Sequence, residues 1–204
     1  MNKEKKPLIV FDIGNVLLRF SPARAKRNFD RLVPGAGGKL IRLIWKTRLG
    51  LDFERGRLSG AAFHRECLRR AGVRMSYQDF RRAFCGIFTP MRAHLSLLRR
   101  LARRYPTALL SNTNPIHWAH ICRAFPDLGR ARYPMASHLL KEMKPAPVVY
   151  RRLARRTGFP LTKMVYIDDH PAVVAAARRL GVRALCFDGK TPLRQMLARA
   201  GIDV

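Results

Sequence analysis

Acidic side chains are scarce in this chain: 13 Asp and Glu stand against 41 Lys and Arg, for a formal net charge of +28. Such an imbalance favours anionic partners on electrostatic grounds alone. The surplus is mainly arginine, laid down as doublets at 69/70, 81/82, 99/100, 103/104, 151/152, 155/156 and 178/179, with no detachable basic tail. Helical spacing sets Arg99, Arg100, Arg103 and Arg104 on neighbouring turns, and likewise Arg151, Arg152, Arg155 and Arg156. Like charges there repel by a few tenths of a kcal/mol per pair. Two readings follow, a coat of solvated helix faces or a surface for nucleic acid or anionic lipid, and no pattern of stacking aromatics separates them.

Cysteine spacing is equally uninformative. Cys67, Cys85, Cys122 and Cys186 are scattered without CxxC or Cys/His spacing, which argues against a metal finger or a redox motif. Buried free thiols are expected, and none lies in a recognisable phosphate-cradling loop. No apolar run reaches the roughly 18–20 residues of a membrane helix. The start, Met1 to Pro7, leads into a short apolar stretch without the longer segment and cleavage site of a secretory signal. The expectation is a soluble, cytoplasmic protein. With 204 residues, 48% of them hydrophobic, the chain can form one substantial core, or a core carrying a small insert.

What is present is an alternation of short apolar runs with amphipathic stretches. The run Pro7–Phe11 ends at Asp12 and a Gly-Asn turn, as a buried parallel strand does. Residues 107–110 end at Ser111-Asn112, 164–167 at Asp168-Asp169, and 184–187 at Asp188-Gly189. Between them, helices are expected from Pro145 to before Gly158 and from Pro171 to before Gly181, following the proline-first, glycine-after asymmetry. This rhythm predicts an α/β fold, a parallel sheet with helices on both faces, whose ligand lies outside the carboxyl ends of the strands. Residues 19–89 break the rhythm with helical segments at 22–32, 39–48, 61–70 and 77–84. They read as a helical insert covering the mouth of the sheet, with 1–18 and 90–204 forming the core.

Phosphoryl transfer through a covalent intermediate needs a nucleophile, a divalent cation, and donors with a fixed positive charge around the phosphoryl oxygens. Parts of that kind occur in order: Asp12, then Ser111 and Asn112, then Lys144, then Asp168 and Asp169. The segments FDIGNVL at 11–17, SNTNPIH at 111–117, KPAPVVY at 144–150 and YIDDHPAVVAAARRLG at 166–181 together resemble the four ordered motifs of the haloacid dehalogenase-like superfamily. The DxGNV form, SNTNxxH and Glu54-Arg55-Gly56 are similar to the branch of bacterial sugar-phosphate phosphatases and epoxide hydrolase amino-terminal domains.

The resemblance implies a Rossmann-like core with a small helical cap, and a magnesium-dependent phosphatase acting on a small phosphomonoester, sugar phosphates ahead of nucleotides. It implies Asp12 as nucleophile, and magnesium held by Asp12, the Gly14 carbonyl, Asp168 and Asp169. Ser111 and Asn112 are implied as phosphate donors and Lys144 as the stabilising charge, the following prolines favouring Lys144 over Lys141 for that role. The competing reading is a basic binding protein for nucleic acid or an anionic surface on the same scaffold, with little or no turnover.

Two positions depart from the pattern. Most phosphatases of this kind carry a second aspartate two residues after the nucleophile, which protonates the leaving oxygen and later activates water; here that residue is Gly14. Loss of a general acid or base is worth about 10²–10⁴ in rate, so a slower enzyme, or one selective for easily departing groups, is expected. His117 and His170 are the substitutes adjacent to the motifs. Val173 stands where relatives often have a polar residue supporting the metal ligands. In the insert, Trp45, Phe53, Glu54, Arg55 and Arg57 are candidate substrate contacts.

Overall fold

The computed structural model describes residues 6–204. Residues 1–5, on which part of the reading about a secretory signal rests, lie outside them. In chain order the elements are β1 (Leu8–Phe11), β2 (Leu18–Phe20), α1 (Pro22–Leu32), α2 (Ala36–Trp45), α3 (Arg48–Glu54), α4 (Gly60–Ala71), α5 (Tyr77–Cys85) and β3 (Phe88–Pro90). There follow α6 (Arg92–Ala102), β4 (Thr107–Ser111), α7 (Pro115–Ala124), β5 (Tyr133–Ala136), α8 (Ser137–Leu140) and α9 (Pro147–Thr157). The chain closes with β6 (Met164–Asp168), α10 (Pro171–Arg179), β7 (Arg183–Cys186) and α11 (Leu193–Arg199).

Five strands form one sheet in the order β5-β4-β1-β6-β7, every pair parallel. Parallel strands are buried on both faces, which is why these segments read as continuous apolar runs. Side chains nonetheless alternate. Ile9, Phe11, Leu109, Val165 and Ile167 pack on one face with Leu95, Leu98 and Leu197, whereas Leu8, Val10, Leu110 and Tyr166 pack on the other with Val149, Leu153 and Val174. The expected helix-covered parallel sheet is the architecture found. The chain passes from β1 to β4 and β5 on one side and returns to β6 and β7 on the other, so the order reverses around β1. Ligands of such sheets lie at that reversal, beyond the strands' carboxyl ends.

Helices α1–α5 have an apolar core of their own, built around Phe29, Phe53, Phe63, Phe80 and Phe84. They are flanked by β2 and β3, which pair antiparallel with Leu18 opposite Pro90 and Phe20 opposite Phe88. The boundaries expected at 18/19 and 89/90 fall within this ribbon.

Several local expectations are corrected. The helix expected at 39–48 is two helices, because the chain turns at Lys46 and Thr47 and Gly50 packs so tightly on α2 that a Cβ there would lie 1.7 Å from the Ile44 carbonyl oxygen. The helix expected from Pro145 starts at Pro147, since a turn closed by Ala146 N–H to Met143 O occupies the preceding residues. Strand β5 escaped notice because it contains Pro134, which a sheet interior excludes and an edge strand tolerates. Of the four cysteines only Cys67 and Cys85 are buried; Cys122 is exposed and Cys186 intermediate. Among the described residues no helix is long and apolar enough to cross a membrane.

Candidate active site

Three neighbouring strands end on the residues singled out by their sequence positions. Asp12 follows β1 and its N–H still donates to Ile167 O at 2.9 Å, holding it alongside β6, whose last residue is Asp168. One carboxylate oxygen each from Asp12, Asp168 and Asp169 lies within 4.8 Å of the others. Lys144, at the turn before α9, points its ammonium between two of them, 2.8 Å from Asp12 Oδ1 and 2.7 Å from Asp168 Oδ2. All three side chains are nearly dry, with exposures of 4% for Lys144, 9% for Asp12 and 2% for Asp168.

Burial at such a place penalises every charge. It pushes the Asp12 carboxyl up to about 6, an effect reinforced by Asp168 and opposed by Lys144. Burial also works to lower the Lys144 ammonium, but the two carboxylates outweigh it and hold the lysine above its ordinary value. Three carboxylates against one ammonium leave a residual charge of −2 at the strand ends. In a chain of such positive balance, that is a local inversion of sign.

Asn112 positions the lysine. Its amide donates to Lys144 O at 2.9 Å and accepts from Lys144 N at 2.8 Å, so both halves of the amide are committed to the lysine's backbone. Lys141 lies elsewhere, its ammonium on Gly56 O at 2.8 Å. Ser111, at the end of β4, is buried at the cavity wall.

Two supporting residues were not singled out in the sequence. Tyr166 donates its hydroxyl to Asp168 Oδ2, and Asn15 donates its amide to Asp169 Oδ2 at 3.0 Å. Asn15 does so from a left-handed backbone with φ 52°, a conformation asparagine tolerates better than most residues. The His170 N–H donates to the remaining Asp168 oxygen at 2.8 Å. Val173 therefore leaves no gap, because Tyr166 reaches Asp168 from inside its own strand. Tyrosine in a strand reads as core, so only the two-residue spacing to Asp168, placing both on one face, could have flagged it. Tyr166→Phe removes a hydrogen bond to a buried carboxylate and is expected to cost about 1.5–3 kcal/mol, read as a lower midpoint in urea unfolding.

The histidines differ in kind. His117 is buried with both ring nitrogens engaged, one beside the Asn114 amide at 3.1 Å and the other on Phe84 O at 3.1 Å. Burial drives it down to about 3, so it stays neutral and serves as a bridge between α7 and α5. Sequence adjacency to a motif suggested a proton carrier; tertiary burial removes that role. His170 is exposed at the start of α10.

These groups line a cavity of about 250 Å³, reached by Asp12, Gly14, Ser111, Lys144, Asp168 and Asp169 from the sheet and by Phe20, Trp45, Glu54 and Phe88 from the insert side. Of the insert residues expected to meet substrate, Trp45 and Glu54 reach the cavity. Phe53 instead stacks on Phe63 at 3.9 Å in the helical core, Arg55 pairs with Glu142 at 3.0 Å, and Arg57 pairs with Asp52 at 2.7 Å.

The order of these strand-end groups is matched by sequence comparison, which aligns residues 6–181 with the haloacid dehalogenase-like hydrolase family. The chain belongs to that family. A D-ribitol-5-phosphate phosphatase from Bacteroides thetaiotaomicron is 23% identical over 198 residues, covering 93% of this chain and 95% of the relative. A family enzyme from the same organism, solved in complex with magnesium and inorganic phosphate, superposes with a TM-score of 0.84 at 22% identity, over 94% of this chain and 98% of that one. A HAD-like hydrolase from Porphyromonas gingivalis gives a TM-score of 0.84 at 26% identity, over 98% and 99% of the two chains. The family expected from the four motifs is the family found.

Proposed function

We propose that this hydrolase is a magnesium-dependent phosphatase of small phosphomonoesters, sugar or polyol phosphates foremost, and that Asp12 carries the phosphoryl group as an aspartyl-phosphate. The observation that carries the reading is the buried cluster itself, in which Lys144 bridges Asp12 and Asp168 beside Asp169 on the wall of a partly open cavity. Buried charges are retained at such cost where chemistry uses them. The names of the Bacteroides phosphatase and of the magnesium and phosphate complex point the same way.

The donor set fits magnesium. It is made of hard carboxylate oxygens, and its residual charge of −2 is that which a divalent cation offsets. Asp12, Asp168, Asp169 and the Gly14 carbonyl would hold the ion, which when bound supplies charge neutralisation to the phosphoryl oxygens. The free oxygen of Asp12 attacks phosphorus as the bond to the leaving oxygen breaks. Lys144 offsets charge on the phosphoryl group throughout, held in place by Asn112. The Ser111 hydroxyl and the Asn112 N–H donate to the same oxygens. Water then attacks phosphorus, phosphate departs and the Asp12 carboxylate is restored.

We assign residues 19–89 to a cap and residues 1–18 with 90–204 to the core. A closed cap excludes water from the charged cluster, which strengthens every electrostatic term there. A cavity of about 250 Å³ is small beside the roughly 300–1,000 Å³ of pockets for drug-sized ligands, and suits a compact metabolite. The direct test is phosphate release from ribitol 5-phosphate and a panel of sugar phosphates, with magnesium and with chelator. Turnover that requires magnesium and favours polyol or sugar esters is the expected result; silence on the whole panel overturns the reading.

A further inference from the structure

Gly14 leaves the cavity without a carboxyl proton donor beside the nucleophile, and the structure shows what fills that space. A Cβ at Gly14 would lie 3.7 Å from Asp12 Oδ2 and 3.7 Å from the Phe20 ring, so an aromatic ring from β2 packs where a longer side chain would extend. Among the other groups on the cavity, His117 is neutral with both nitrogens bound, and His170 is exposed and adjoins Asp168 and Asp169. One carboxyl group remains, and it comes from the insert.

We propose that Glu54, at the end of α3, is the general acid and base of this enzyme, delivered from the cap in place of the core side chain that Gly14 lacks. The inference rests on the phosphatase reading and goes beyond it in assigning the proton transfers. Glu54 lines the same cavity as Asp12, and among the described residues nothing donates a hydrogen bond to its carboxyl group. Its backbone, by contrast, is fastened to the core. The Ser137 hydroxyl donates to Glu54 O at 2.7 Å, Arg55 pairs with Glu142 at 3.0 Å, and Lys141 donates to Gly56 O at 2.8 Å. Gly56 completes the attachment: with φ 65° it lies so close to α8 that a Cβ would be 2.2 Å from His138 O. A side chain left free while its backbone is held on both sides is positioned for a moving proton, not for packing.

Burial pushes the Glu54 carboxyl up to about 7, with Arg55 opposing. The charged groups facing it across the cavity are Asp12, Asp168, Asp169 and Lys144, with His170 at the mouth. A carboxyl near 7 is protonated often enough to act as an acid and ionised often enough to act as a base at neutral pH. In the first step the Glu54 proton passes to the leaving oxygen as its bond to phosphorus breaks and the Asp12–phosphorus bond forms. In the second, the Glu54 carboxylate takes a proton from water as the water oxygen bonds to phosphorus and the bond to Asp12 breaks. Inorganic phosphate leaves, and both carboxyl groups return to their starting states.

The test is a leaving-group series with magnesium present: 2,4-dinitrophenyl, 4-nitrophenyl and phenyl phosphate, on wild type, Glu54→Gln and Glu54→Asp. Dinitrophenolate departs without a proton, and kcat/KM reports transfer to Asp12 and not the later hydrolysis. In kcat/KM, Glu54→Gln should therefore stay within a small factor of wild type on that ester and lose about 10²–10⁴ on phenyl phosphate. Its kcat should fall on all three esters, because hydrolysis of the shared intermediate has lost its base. Glu54→Asp should recover part of the loss. For wild type, kcat/KM on phenyl phosphate should fall as pH rises through about 7, because the acid form is being removed, and Glu54→Gln should not show that limb. A first-turnover release of dinitrophenolate at the wild-type rate certifies that the variant folds. Equal losses of kcat/KM on all three esters, or a change confined to KM, overturn the assignment while leaving the phosphatase reading intact. Wild type silent on every ester overturns both.

Discussion

Replacing Lys144 with methionine is expected to destabilise the metal-free protein by about 3–5 kcal/mol near pH 8, the cost of stranding buried charges when one partner is removed. The substitution keeps the bulk of the side chain and deletes the charge, so packing contributes little. What remains is Asp12 beside Asp168, both nearly dry, with no cation between them. The effect must depend on pH in one direction. The folded state holds the Asp12 carboxyl up to about 6, above its ordinary 3.8. Its contribution to stability is therefore present at low pH and declines as pH rises from about 4 through 6. Lys144 is the group that opposes that rise, so its loss pushes the decline further and extends it to higher pH. Urea unfolding in chelator should show a modest deficit at pH 5 and the full one at pH 8. An unchanged midpoint at pH 8 would mean that the lysine does not compensate the pair. On the proposed mechanism, in which the same ammonium offsets charge on the phosphoryl group, activity should be lost at every pH.

Asp12→Asn is expected to behave in the opposite way, with activity abolished and stability kept. Loss of a nucleophile in other hydrolases reaches about 10⁶ in kcat, so a fall on the order of 10⁴ or more in magnesium-dependent phosphate release is anticipated. The cluster meanwhile becomes less negative, from −2 to −1, while Lys144 retains its bond to Asp168. The melting temperature in chelator should therefore be unchanged or higher than that of wild type. An acid-quenched reaction with labelled phosphomonoester should leave label on wild-type protein and none on the variant. A variant that still turns over at the wild-type rate removes Asp12 from the mechanism. Together the two expected results would separate the contributions, Lys144 to both fold and chemistry and Asp12 to chemistry alone.

The parallel sheet was legible because each central strand is a short, fully apolar run that stops on a polar residue, and four such stops came in order. Edge strand β5 was not, since Pro134 and the short run resemble a loop until the pairing with β4 is seen. Motif residues Asp12, Asn112, Lys144, Asp168 and Asp169 were singled out by their order at strand ends and by the resemblance of the four motifs. Tyr166 and Asn15 were missed, because their contribution is a direction in space and not a position along the chain. His117 shows the reverse: adjacent to a motif and chemically versatile, it is neutralised by burial and by two bonds, one from its own helix turn and one from α5.

Local order along the chain determined the α/β class, the strand-end location of the site and the family, since these depend on apolar periodicity and on residues within a few positions of each other. Only the tertiary structure decided how the charges there are balanced. Lys144 lies 132 positions from Asp12 and 24 from Asp168, and its bridging of the two arises from parallel strands brought side by side. Glu54 reaches the cavity from the end of α3, which is fastened to the core by contacts from Ser137, Lys141 and Glu142. Coulomb energy and desolvation depend on distance and burial, and neither is written in the spacing of residues along a chain.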